Sequence, residues 1–237
     1  MSESSSLAAA SERERALEAT AALWRRRGYQ GLNVEAICER AGIDPESFEA
    51  MFASVEAAAA AVVEVPLVSV VEIVGQLYSP DRSEAESYAL AIARILNFMA
   101  ANPDFAYVAY IAGRQMAPPE VHRRYETGRR FLVVMLERLW GNSGLGEQSV
   151  HAGLGGLGGA EALVRREVAA GTLERLPALA PQCVFAAMVP FLGQREALRL
   201  ARMVAVELPS WEAPPAGRTT TRRRAASQPR RRWGSGS

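Results

Sequence analysis

Few side chains in this sequence have the types and spacings that catalysis needs. His122 and His151 are the only histidines, and neither belongs to a Ser/His/Asp or Cys/His arrangement. Cys38 and Cys183 lie far apart among apolar residues and form no CxxC pair. No metal-ligand spacing arises from them, and reduced thiols are expected. Gly153, Gly155 and Gly158 match a dinucleotide fingerprint formally. No strand pattern precedes them, so packing or flexibility is the expected role. Neither an enzyme, a cofactor nor a metal is expected. What remains is charge recognition. Residues 44–51 carry three acids and no base, whereas residues 218–237 carry seven arginines and no acid.

That contrast runs through the whole chain. Net charge is +1 over 237 residues, yet residues 1–64 sum to −5, residues 65–217 to −1, and the tail to +7. All 27 basic residues are arginine, which reads as compositional bias, although arginine binds phosphate bidentately. Arg218, Arg222–Arg224 and Arg230–Arg232 therefore read either as a solvated tail or as a charge-driven contact to nucleic acid. Arg25, Arg26 and Arg27 read as a solvated helix face or as contacts to a phosphate backbone.

The elements that must position these groups are helical. Strand and hairpin signals are nearly absent, and apolar residues recur at helical spacing. Ser11 with Glu14 fits a capping box opening a first helix over Ser11–Arg27, ended by Gly28. Asn33 caps a helix over Val34–Arg40, Ala41–Gly42 make a turn, and Asp44 caps a third helix with Pro45 at its first position. Phe48 and Phe52 face inward at i, i+4. A fourth helix follows from Ser54 and is bent or broken at Pro66. Helices are predicted over Ser83–Ala101, from Asn102–Pro103 to Arg114, from Pro118–Pro119 to Trp140, at the C-terminal end of 147–170, over Pro177–Gly193 and over Gln194–Leu208. Residues 1–10 and 209–237 read as disordered. No run of 18 apolar residues is uninterrupted, so no membrane span is predicted. No secretory signal is read at the N-terminus, and a cytoplasmic location is expected. The fold class is all-α.

Residues 13–56 thus have the layout of a helix-turn-helix reader. Leu23–Trp24, Gly28–Tyr29, Val34, Ile37, Ala41–Gly42–Ile43 and Phe52 resemble the DNA-binding domain of the TetR family of transcriptional regulators. Further on, Gly171–Ala180 followed by an apolar helix matches that family's layout only. The resemblance implies a three-helix DNA-binding domain over 11–57 and a larger helical ligand-binding and dimerisation domain over 58–208. It implies a ligand-responsive homodimer that binds operator DNA, and a repressor as its output. DNA contacts would come from Asn33, Val34, Asp44, Pro45, Glu46, Ser47, Glu49 and Met51, with Arg25 and Arg26 nearby.

One departure stands against it. Where the family carries small, tyrosine, histidine and lysine side chains after the Ala-Gly turn, this chain has Glu46, Glu49, Met51 and Val55. Phosphates repel glutamate, so affinity should be weakened. The alternative is a dimeric small-molecule-binding or interaction protein with lost or degraded sequence-specific DNA binding. Aromatic residues and methionines of the middle helices read as core packing or as the wall of a cavity for a small hydrophobic ligand. The candidates are Arg94, Phe98, Phe105, Tyr110, Arg114 and Met135.

Overall fold

The computed structural model describes residues 2–77, 81–113, 118–127, 130 and 148–207. Among them there is helix and no strand. Helix α1 spans Ser2–Arg27, α2 Val34–Ala41, α3 Pro45–Met51, α4 Val55–Leu77 and α5 Glu84–Ala101. Helix α6 spans Pro103–Tyr107 and runs on as a π-helical turn over Val108–Ala112. Residues 119–127 form α7, followed by α8 (Gln148–Ala170) and α9 (Ala180–Glu207).

Local chemistry sets several helix ends. Asn33 Oδ1 accepts from the Ala36 N–H at 2.8 Å and opens α2. Asp44 Oδ1 accepts from the Ser47 N–H at 2.7 Å and opens α3, with Pro45 at its first position. Gly42 closes α2 with φ 64° and ψ 45°, a left-handed geometry that suits a residue without a side chain. Ser83 and Glu86 form a reciprocal capping box at the start of α5. Ser11 behaves differently from its expected capping role. It lies inside α1, and its hydroxyl accepts from Arg15 at 3.2 Å. The alanines at 8–10 are strong helix formers, so nothing ends the helix there.

The N-terminal unit closes around Trp24, Ile37 and Phe48, all fully buried. Tyr29 meets Trp24 edge-on at 5.6 Å, and Phe52 packs on Phe48 at 5.4 Å between ring centroids. Arg15 Nε donates to the Ala41 carbonyl at 2.9 Å, satisfying one of the groups left open at the end of α2. Helix α4 is long and apolar enough, by length and composition, to cross a membrane. It is instead a core element: Ala58, Ala59, Val62 and Val63 are buried, and the helix packs on α1 and α5. Pro66 sits within it without ending it.

The glycine-rich stretch of α8 is continuous helix. Gly156 explains part of its composition. A Cβ there would lie 2.9 Å from the Ala186 carbonyl oxygen and 3.1 Å from that of Ala187, both on α9. Pro190 lies inside α9 and withdraws the i→i−4 donor from Ala186, so the two backbones approach where that carbonyl lacks its helical partner. Helix α9 breaks at Gly193, whose φ of 72° is non-helical, as two separate helices were expected to meet there.

Candidate nucleic-acid interface and ligand cavity

The turn between α2 and α3 presents Asp44, Pro45, Glu46 and Glu49 to solvent. Ser47 is partly buried, and its hydroxyl donates to Asp44 at 3.2 Å. The Asp44 carboxyl is held below its ordinary range, first by the Ser47 N–H. These groups form one outward, acidic ridge. Two other expected contacts behave differently. Val34 and Met51 are partly buried and pack against the core, because each completes the apolar face of a helix of only eight or seven residues. Arg25 does not stand free beside them: its guanidinium pairs with Asp104 of α6 at 3.0 Å. Arg26 is exposed. A polar cleft of about 510 Å³ lies beside that pair, between α1–α2 and the α5–α6 corner.

The larger body contains an apolar cavity in two chambers. The first, of about 140 Å³, is walled by Val70 and Val74 of α4, Tyr88, Ile92 and Ile95 of α5, and Leu157 of α8. The second, of about 100 Å³, is walled by Val63, Pro66, Met99, Tyr125 and others, with Glu64 and Arg124 at its edge. Val70, Tyr110 and Glu161 line both. Burial pushes the Tyr110 and Tyr88 hydroxyls well above their ordinary range, and for Tyr110 the Glu161 carboxylate adds to the effect. The Cys183 thiol, also in the wall, is pushed up to about 11 by burial. Arg124 Nη1 meets Glu64 at 2.6 Å, with Glu120 at 3.6 Å from its Nε.

Of the four expected ligand contacts among the described residues, Tyr110 alone lines these chambers. Phe98 and Phe105 are buried at 1% and 4% exposure and fill the core. Phe98 lies on α5 and Phe105 on α6, and neither lines a chamber. Arg94 is partly buried on α5 and lines neither chamber. Arg114 and Met135 lie outside the described residues. Tyr88 and Glu161 were not singled out from sequence. Tyr88 shares the helical row of Ile92 and Ile95, a signal present in the periodicity. Glu161 had none, being one acid at the end of a glycine-rich run.

An all-α protein with a small N-terminal helix-turn-helix unit and a larger helical body enclosing an apolar cavity is the class these features define. Two solved structures share that architecture. The fatty acid degradation regulator FadR from Bacillus halodurans superposes with a TM-score of 0.64 at 18% identity, over 78% of this chain and 96% of its own. The transcriptional regulator FadR from Bacillus subtilis, in complex with stearoyl-CoA, superposes with a TM-score of 0.51 at 12% identity, over 76% and 97%. No protein-family model and no curated protein matches the chain.

Proposed function

We propose that this protein is a cytoplasmic, ligand-responsive transcriptional regulator of the TetR type, a homodimeric repressor that reads operator DNA through α2 and α3. The observation that carries this reading is the α2–Gly42–α3 turn, with both N-caps formed and the second helix outward. Two regulators share the architecture, and one of them holds stearoyl-CoA, which favours an apolar chain as ligand. Leu192 on α9 is a large apolar side chain exposed at 38%, in the segment the resemblance assigns to the dimer interface. A two-fold dimer would place two reading helices on two half-sites. Each chamber is far smaller than the about 300 Å³ at which drug-sized ligand pockets begin, so a ligand enters by parting the helices.

Fluorescence anisotropy with DNA flanking the protein's own gene, at low salt and with the full chain, tests this. Sub-micromolar, palindrome-dependent binding is expected, and its absence would sink the reading. The exposed Glu46 and Glu49 support a second reading, a dimeric binding protein whose sequence-specific DNA contact has been lost. Deleting residues 214–237 separates the two: specific binding that survives the deletion excludes the second.

A further inference from the structure

The second chamber is apolar along most of its wall but charged at its rim. Glu64 of α4 and Arg124 of α7 both line it, and their side chains are 45% and 48% exposed, so they stand where the chamber meets solvent. Arg124 Nη1 donates to Glu64 Oε1 at 2.6 Å, and its Nε lies 3.6 Å from Glu120 Oε1. Glu120 is shared with Arg123, so two acids and two arginines leave the rim near neutral. A guanidinium offers five N–H donors in a planar fork. Those on Arg124 Nη2 make no hydrogen bond to a described residue. Glu161 lines both chambers and so belongs to their join, and it is engaged in an interaction of its own.

A ligand's apolar chain gains by entering such a wall, whereas its polar end must stay where it finds partners. At this rim the partner on offer is the Arg124 fork. An exposed ion pair is weak, so a second carboxylate can take the place of Glu64 on Arg124 while Glu64 turns to water. A carboxylate accepts two parallel N–H groups from the fork, which an alcohol cannot do and an ammonium opposes. An acyl thioester of coenzyme A presents no charge at the end of its chain, since its phosphates lie a whole pantetheine arm away.

We propose that the cavity takes a single-chain amphiphile ending in a free carboxylate, whose head displaces Glu64 from Arg124. This rests on the reading of the cavity as the effector site and names the ligand's head group. Glu64 is then a competitor built into the rim, and its displacement releases one tie between α4 and α7.

The test is calorimetric titration of the full chain, without DNA, with decanoate, decanol, decylammonium and decanoyl-CoA below their micellar concentrations. Decanoate should bind at least about fivefold tighter than each of the other three. Glu64→Gln, which weakens the competitor, should strengthen decanoate binding by about threefold, and Arg124→Gln should weaken it to the level of decanol. Neither variant should move decanol by more than about twofold. The opposite signs are the signature, because a pair that only ties α4 to α7 is broken by both substitutions and would shift every ligand alike. Apo melting checks the fold of each variant; should one fail to fold, the other and the ranking in the unaltered protein decide. Decanol, decylammonium or decanoyl-CoA binding as tightly as decanoate overturns the proposal. So do shifts of the same sign, no shift in either folded variant, or binding of none of the four. Operator binding is measured separately: a protein that selects decanoate but binds no operator keeps this inference and refutes the regulator, and the converse result does the reverse.

Discussion

Gly156→Ala should destabilise the protein, although the same exchange in an open helix stabilises it. Alanine in place of glycine inside a helix gains about 1 kcal/mol from backbone entropy. At Gly75 on α4 nothing lies within 4 Å of the new Cβ, so that gain should appear in full. At Gly156 the new methyl would sit 2.9 Å from the Ala186 oxygen, 3.1 Å from the Ala187 oxygen and 3.2 Å from the Ala187 Cα. All three are backbone atoms, so no rotamer change relieves the contact, and α8 and α9 must separate. Overpacking of this kind costs about 1–3 kcal/mol. Subtracting the propensity gain leaves a net loss of up to about 2 kcal/mol. For a chain of this size each kcal/mol shifts Tm by about 2–4 °C. Thermal and urea melts should therefore move in opposite directions, upward for Gly75→Ala and downward for Gly156→Ala. A Gly156→Ala protein as stable as Gly75→Ala would refute the close approach of the two helices.

Three further outcomes follow from the same geometry. Asn33→Ala removes the acceptor of the Ala36 N–H and should cost about 1 kcal/mol, read from urea midpoints at unchanged slope. Replacing Glu46 and Glu49 together by Gln should raise DNA affinity several-fold at low salt. A charge about 8 Å from a phosphate in water contributes about 0.5 kcal/mol, and the gain should fade as salt increases. Acid should destabilise the fold. Hydrogen bonds hold the carboxyls of Asp44, Glu86, Glu167 and Glu196 below their ordinary range, from the Ser47 and Ser83 N–H groups, the Thr172 hydroxyl and Arg199 respectively. Their folded values lie below their unfolded ones, so this stability is present above the unfolded range and is lost as pH falls through it. Tm should be level near neutrality and drop below about pH 4.5. A Tm unchanged down to about pH 3 would contradict the assignment.

Helix ends were legible from sequence because their chemistry is local. Asn33, Asp44–Pro45 and the Ser83–Glu86 pair act within one turn, and each forms the contact its spacing implies. Cavity membership was not legible, because it depends on which face of a helix meets which neighbour. On α5, Tyr88, Ala91, Ile92, Ile95 and Leu96 follow the i, i+3, i+4, i+7, i+8 row and wall the first chamber. Choosing large aromatic side chains instead of that row leads to Phe98, which sits on the same helix but in the core. Ser11 shows the opposite error. A capping-box spacing inside a good helix former is indistinguishable in sequence from a helix start, and only the upstream alanines tip the balance.

One element joins the cavity to the α2–α3 unit. Helix α4 starts at Val55, three residues after Phe52, whose ring packs on Phe48 of α3. The same helix then supplies Val63, Glu64 and Pro66 to one chamber, Val74 to the other and Val70 to both. Enlarging either chamber must disturb the packing of α4 on α1 and α5. Close-packed interiors do not stretch to absorb such a change; they shift whole elements. The Arg25–Asp104 pair gives the N-terminal unit a second tie to the body through α6. Being an exposed ion pair, it is weak and can yield at little cost. The packing of α4 on α1 and α5 is the stiffer link, because it is made by buried side chains and not by an exposed ion pair.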